Sequence, residues 1–307
     1  MKTFTALGTL VAAAILASCV GQTQLSPSNP APLSASGHVT PALTQLLYVA
    51  DDSTSDVYYF DYPSGVAKGT LTGFNNPKGA CVDTHHHLYF TSAGGQDIQE
   101  YKVGGTTAIN YLSDKPGGTA YTPIACAVDA SSGDVAAANM TTGSPASITI
   151  WPHGDPPPVL YTDSRMKTFS FLGYNPNGKL FVDGVSTGNA FQLVRYHSGR
   201  FTKVTVTPVP VTPGNVQWTG STLAVGDQSI NGIYAFSITG NTGTAGPPAY
   251  FTGACDIEQF FINTAGTEVV GPDNCNGKTY TYAYPGLGTG GAPLITVVSP
   301  YGTAIQH

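Results

Sequence analysis

The sequence predicts an all-β fold: a six-bladed β-propeller of four-stranded antiparallel blades, its ring closed by a C-terminal strand joining the N-terminal blade. Three observations predict it. Gly and Pro are abundant, at 37 and 23 of 307 residues, yet 41% of residues are hydrophobic. That mixture suits short strands between tight turns, not a disordered chain. An aromatic-rich strand ending in glycine recurs six times. The inner strand that the first copy lacks stands at the other end of the chain.

The repeat is clearest at Val57-Tyr58-Tyr59-Phe60-Asp61-Tyr62-Pro63-Ser64-Gly65. It returns as IQEYKVGG (98–105), ITIWPHG (148–154), FQLVRYHSG (191–199), IYAFSITG (233–240) and TYTYAYPG (279–286). The closing glycines at 65, 105, 154, 199, 240 and 286 are spaced by 40, 49, 45, 41 and 46 residues. A period in the forties with several strands per unit marks propeller blades. A short apolar strand precedes each copy: LYVAD (47–51), LYFTS (88–92), VAAAN (135–139), LFVDG (180–184), LAVGD (223–227) and VVGPD (269–273). A further strand follows each, among them AYFTG (249–253) and LITVV (294–298).

Five inner strands read GACVDT (79–84), ACAVDA (125–130), FSFLGYN (169–175), NVQWTG (215–220) and CDIEQFFIN (255–263). The first blade starts at its second strand, with Leu47. The segment from Pro300 to Gln306 matches Pro77 to Asp83 in spacing and pattern, so it supplies the missing strand. Closure leaves no unpaired inner edge. The propeller is expected over residues 46–307. In repeat length, blade count and closure it resembles the NHL and SMP-30-like group of extracytoplasmic six-bladed propellers. That resemblance implies the fold and brings no catalytic motif.

Residues 1–18, MKTFTALGTLVAAAILAS, read as a signal peptide. One cation, Lys2, precedes an apolar stretch too short for a transmembrane span. Leu16-Ala17-Ser18-Cys19 resembles the bacterial lipobox. The resemblance implies a lipid on Cys19 as the mature N-terminus. Because Val20 follows and not Asp, it implies the outer membrane in a Gram-negative host. Residues 19–45 are Pro-, Ser- and Thr-rich without period, a flexible tether. The expected location is extracytoplasmic, anchored to the bacterial cell envelope through the N-terminal lipid.

Charged residues make up 10% of the chain, against about 25% in an ordinary soluble protein. The net charge is −6, with no basic run. Nucleic acid is excluded as a partner, because it demands a phosphate-neutralising surface. A monomer is expected.

Four cysteines remain beside Cys19, in an oxidising compartment. Cys255 and Cys275 each lie ten residues from Ala265, in the turn TAG (264–266). Equal arms place them opposite one another, so a disulfide is predicted. Cys81 and Cys126 sit on consecutive inner strands, offset by one residue and so on opposite faces. That suits an inter-blade bridge, and two buried free thiols suit it equally.

His85-His86-His87 is the most conspicuous polar cluster, and imidazole is a common metal ligand. The equivalent segment in the next blade, Ala130-Ser131-Ser132-Gly133, is a hairpin turn. Only Asp83 stands at ligand spacing, so an exposed turn is the expected reading. The second strands end in Asp51, Ser92, Asn139, Asp227 and Asp273, with Asp183 one position early. On the propeller plan these share one rim. Asp51, Asn139, Asp183, Asp227 and Asp273 are either a ligand-binding ring at the channel mouth or turn formers bonding their own backbone.

Nucleophile and metalloprotease motifs are missing from the sequence, and Ser164-Arg165-Met166-Lys167 falls between strands, not at a helix start. The SMP-30 resemblance implies a divalent cation held by carboxylates and an Asn around the channel. The starts of the inner strands supply Lys78, Thr122, Thr168, Asn215, Asp256 and Gly302. Only Asn215 and Asp256 match, which argues against a metal-dependent hydrolase or lactonase. No cofactor is expected beyond such a cation. The leading expectation is a non-enzymatic module binding a glycan, peptide or envelope protein through a propeller face. The alternatives are the hydrolase and a structural envelope scaffold. Cys19→Ser is expected to abolish membrane partitioning, checked by fractionation and mass spectrometry of the mature N-terminus.

Overall fold

A computed structural model describes residues 45–140 and 145–306. The lipobox, Cys19 and all of the tether before Gln45 lie outside the described residues. So do residues 141–144.

The described chain is all-β apart from two single 3₁₀ turns. It is a β-propeller-like arrangement of small antiparallel sheets. One four-stranded sheet holds Pro300–Gln306, Gln45–Asp51, Asp56–Tyr62 and Ala67–Leu71, in that order. The next holds Pro77–Val82, Leu88–Ser92, Asp97–Tyr101 and Asn110–Ser113. A third holds Pro123–Val128, Val135–Asn139, Ala146–Trp151 and Val159–Asp163. Then come two four-stranded meanders merged, with the short strands Ala249–Thr252 and Gly288–Thr289, into one ten-stranded sheet. The first runs from Met166–Tyr174 to Arg200–Thr207, the second from Pro213–Thr219 to Thr242–Thr244. A short parallel contact, Thr205–Thr207 against Thr242–Thr244, joins them. The last sheet holds Phe261–Ile262, Glu268–Asp273, Lys278–Ala283 and Ile295–Thr296.

Burial explains the sequence pattern. Second strands such as Leu88–Ser92 and Val135–Asn139 are buried along their whole length. Neighbouring sheets cover both faces, so these strands read as continuous apolar runs. The outer strand Arg200–Thr207 is exposed or half-buried at its start and alternates exposed and buried from Lys203 to Thr207, as a half-solvated strand does. Large side chains fill the gaps between sheets: Tyr48, Phe90, Trp151, Phe181, Phe236 and Phe260 are each less than 2% exposed.

Closure is direct. Pro300–Gln306 pairs antiparallel with Gln45–Asp51, Leu46 facing Gln306 and Ala50 facing Gly302. Two disulfides staple the ring. Cys81 and Cys126 join consecutive inner strands at a Cα–Cα distance of 5.8 Å. Cys255 and Cys275 stand 6.2 Å apart, set opposite by the Ile257–Asp273 bridge. Two such bridges fit an oxidising, extracytoplasmic environment. No helix among the described residues is long and apolar enough to cross a membrane.

Two expected strands are altered. Of residues 255–263, only Phe261–Ile262 is regular strand; before it lie a single bridge from Ile257 and a parallel one from Gln259 to Gly302. The strand expected at 249–253 shares its role with an earlier one. Thr242–Thr244 and Ala249–Thr252 pair with opposite ends of Gly232–Thr239. Pro247 and Pro248 separate them, and proline has no N–H to donate to a ladder.

The inner strands approach closely. A Cβ added at Gly79 would stand 2.6 Å from the Cα of Ala125, and one at Gly302 would collide with the carbonyl of Lys78. Gly302→Ala is therefore expected to destabilise by about 1–3 kcal/mol, the usual cost of overpacking. Gly246→Ala, where nothing lies within 4 Å, is the control. Thermal denaturation of both variants checks this.

Candidate functional site

Antiparallel pairing puts the ends of the second strands and the starts of the inner strands on one face. The acidic rim expected there exists, and its side chains point into the protein. Asp51, Asn139, Asp183, Asp227 and Asp273 are all 0–1% exposed. Asp51 Oδ2 accepts the N–H groups of Val298 and Ser299 at 2.7 and 3.1 Å, and its Oδ1 accepts those of Ser53 and Thr54. Asp227 accepts from Val211 at 2.8 Å, and from Thr212 and Ser229 at 3.1 Å. Asp273 accepts from Cys255 and Asp256 at 3.3 and 3.1 Å.

In each case one carboxylate ties the turn after the second strand to the segment leading into the inner strand of the same sheet. Ser92 does the same with its hydroxyl, accepting the N–H of Asn75 at 3.0 Å. These residues are latches. Asp183 differs: it bonds Phe171 N in its own inner strand and Gly214 N in the next, at 2.9 and 3.0 Å. Burial pushes its carboxyl well above the usual range, and the two backbone donors oppose that. Asn139 donates to Ser147 and Thr149 hydroxyls at 3.3 and 2.9 Å.

Inside this latch ring, the axial mouth is a cavity of about 270 Å³, lined by Ile124, Phe171, Pro213, Gln228, Glu258 and Tyr301 among others. Gln228 Nε2 donates to Glu258 Oε2 at 2.5 Å. Burial pushes the Glu258 carboxyl up to about 7; Asp256 adds to this, while Lys78 and the Gln228 bond pull it back. Lys78 Nζ lies 4.1 Å from the centre of the Tyr301 ring and 3.0 Å from Asp52 Oδ2. Tyr301 is 9% exposed. Burial raises its hydroxyl pKa, and the carboxylates of Glu258, Asp52, Asp256 and Asp183 raise it further. No hydrogen bond engages that hydroxyl among the described residues.

The opposite mouth is a cavity of about 340 Å³, lined mainly by apolar groups such as Val82, Val128, Trp218 and Phe261. Between Glu258 on one side and Phe260 on the other, Gln259 bonds both the N–H and the carbonyl of Ala80, at 3.0 and 2.9 Å. Of the inner-strand starts weighed as cation ligands, Asn215 is 3% exposed and donates its amide to Phe260 O at 2.6 Å. Asp256 remains beside Glu258 at the mouth. Cys255, Asp273 and Cys275 converge at ligand distances, but the two sulfurs are joined, so no thiolate is offered to a metal.

Glu258 and Tyr301 were not legible as site residues in the sequence. One signal existed: Tyr301 aligns with Lys78 in the inner-strand repeat, and their side chains meet at the axis.

No family model matches the chain, and no curated protein matches it in sequence. Solved structures do resemble it. A chain from the crystal structure of a nidogen/laminin complex superposes with a TM-score of 0.65 at 11% identity, over 86% of this chain and 98% of that one. A functionally unknown protein from Desulfotomaculum acetoxidans DSM 771 superposes with a TM-score of 0.59 at 12% identity, over 85% and 99%. At these identities the likeness is one of fold.

The latches predict a stability effect. Asp227→Ala leaves the N–H groups of Val211, Thr212 and Ser229 without their acceptor. The expected loss is about 2–4 kcal/mol, as for a buried acceptor serving several donors, read as a fall in melting temperature.

Proposed function

We propose that this chain is an extracytoplasmic, non-enzymatic binding module. In this reading it is a six-bladed propeller of the NHL type, the merged sheet counting as two blades, held to the cell envelope by a lipid on Cys19. Its ligand is a glycan, peptide or envelope protein presenting a cationic group to the acidic mouth. The observation that carries the reading is the axial cavity itself, lined by the Glu258 carboxyl and by Tyr301, whose hydroxyl lies in the field of that carboxylate.

Charge supports a cationic group. Asp52, Asp256, Glu258 and Asp183 act electrostatically on Tyr301, and Lys78, the cation among them, is paired with Asp52. A narrow mouth with low-dielectric walls concentrates such a field. The loops on this rim, such as DSTSD (52–56), QSING (228–232) and NCNGK (274–278), differ in content. Variable loops on a repeated scaffold are where specificity is placed. The latches let those loops vary, because Asp51, Asp227 and Asp273 fix their bases.

A protein–protein complex, nidogen with laminin, is the source of one structural neighbour, which favours a binding role on fold alone.

Calorimetric titration of the purified protein with spermidine and with a lysine-rich peptide tests the reading. Glu258 ionises as pH rises through about 7, and a bound cation favours its ionised form. Affinity is expected to climb between pH 6 and about 7.5 and then level off, following the linkage between protonation and binding. Glu258→Gln is expected to weaken binding at least about tenfold and flatten that profile. Binding that ignores both pH and Glu258 contradicts the axial site.

A further inference from the structure

We propose that the apolar mouth, opposite the acidic one, is a second binding site, and that its ligand is a small uncharged amide carrying one apolar group. The ligand lies in the cavity of about 340 Å³ and bonds the inner edges of Pro123–Val128 and Met166–Tyr174. This site is independent of the reading above.

The backbone of the inner strands defines the recognition. Each inner strand is the last of its sheet and pairs on one side only. In an antiparallel ladder, alternate residues turn their N–H and C=O toward the partner, and the residues between turn theirs away. The turn after each inner strand fixes which are which. Asp83 N bonds His87 O, Asp129 N bonds Asp134 O, Asn175 N bonds Lys179 O and Asn263 N bonds Glu268 O, at 2.9–3.0 Å. Those four residues face their partner strands. The residues one and three before them therefore face the axis: Val82 and Ala80, Val128 and Cys126, Tyr174 and Leu172, Ile262 and Phe260.

Three of these positions show what such an edge binds. Gln259 lays its carboxamide on Ala80, donating to the carbonyl at 2.9 Å and accepting from the N–H at 3.0 Å. Gln217 does the same to Ile262, at 2.7 and 2.8 Å. Asn215 donates to the carbonyl of Phe260 at 2.6 Å. In each case a planar amide stands where a further strand would pair. On Pro123–Val128 and Met166–Tyr174, the equivalent groups belong to Cys126, Val128, Leu172 and Tyr174. All four residues line the cavity, and no side chain among the described residues caps their backbone. The amide that completes these two edges comes from a ligand.

The wall sets the rest of the ligand. No Asp, Glu, Lys, Arg or His lines this cavity, so an ionised group would give up its hydration without a counter-charge. The carboxamides of Asn215, Gln217 and Gln259 are already committed to neighbouring strands. Val82, Val128, Tyr174 and Trp218 hold equivalent register positions, opposite Leu88, Val135, Leu180 and Leu223. All four are half-buried, whereas Ile262 and Ile305, their counterparts in the last and first sheets, are 1% exposed. The four leave apolar surface at the mouth for an apolar group to cover. The volume is at the low end of small-molecule sites, which run from about 300 to 1,000 Å³, so the ligand is of single-ring size.

Solution NMR of the isotopically labelled full chain, titrated with N-benzylacetamide, tests the proposal. Saturable shifts are expected at the amides of Cys126, Val128, Leu172 and Tyr174, with a dissociation constant of about 1 mM, as for a fragment of this size. Benzyl acetate has the same shape without the N–H. It is expected to bind about fivefold more weakly, the loss of one hydrogen bond. Benzylammonium and phenylacetate are expected to leave these amides unshifted. Ala130 is exposed and lines the cavity, so Ala130→Trp is expected to obstruct it and weaken N-benzylacetamide binding about tenfold. The ligand series needs no substitution, so it decides the matter even if that variant folds poorly. Absence of saturable binding in the millimolar range overturns the proposal. Equal binding of amide and ester, or shifts confined to the acidic mouth around Glu258 and Tyr301, also overturns it.

Discussion

The pairing of Pro300–Gln306 with Gln45–Asp51 holds the two ends of the ring together, and the rest of the structure depends on it. It is a contact between residues some 250 positions apart. Its Asp51 also reaches past its own turn to bond Val298 and Ser299, at sequence separations of 247 and 248. The closing strand is buried along its whole length. From that strand Tyr301 enters the axial cavity, Thr303 donates to the carbonyl of Gln259 on the neighbouring inner segment, and Gln306 steadies the histidine turn. The axial cavity therefore takes a component, Tyr301, from the segment that closes the ring.

Closure of this kind is costly in chain entropy, and the fold offsets it with local restraints. Fastening a long loop costs more than a short one, but only logarithmically. The latch carboxylates then fix each strand junction by short-range hydrogen bonds to backbone N–H groups. These groups would otherwise be unsatisfied where a segment leaves one sheet for the axis. The disulfides add two further restraints on the same inner-strand layer. Acidic residues are scarce in this chain, at 18 Asp plus Glu, and several of them serve as latches. Those left facing the axial cavity, Glu258 above all, are set apart by the absence of that backbone duty.

The repeat was legible in the sequence because its cause is local. Each aromatic strand must bury one face between sheets and then turn, so Gly65, Gly154 and Gly240 recur with positive φ at the same place. The closing strand was legible because it carries the same pattern as Pro77 to Asp83. The Cys255–Cys275 disulfide followed from register, which is set by counting residues, whereas for Cys81 and Cys126 the sequence left a bridge and two free thiols equally open. What sequence could not give was side-chain direction. Asp51, Asp227 and Asp273 read equally as a ligand ring or as turn formers, and only their burial and backbone partners show them as latches. The histidine cluster read as a bare turn because the partner of His87, Glu100, arrives from two strands later, at a distance fixed by pairing of Tyr89 with Glu100. Tyr301 and Glu258 meet only when the first and last sheets are neighbours.

Native-state hydrogen exchange tests the central claim, that closure belongs to the cooperative structure of the whole ring. The amides of Thr303 to Ile305 and of Leu47 to Val49 are predicted to exchange only by global unfolding, with the same free energy as those of the interior strand Leu88–Ser92. Exchange of the terminal segment faster by orders of magnitude, while Leu88–Ser92 stays protected, would mean that the strand frays independently, and the ring would not depend on it.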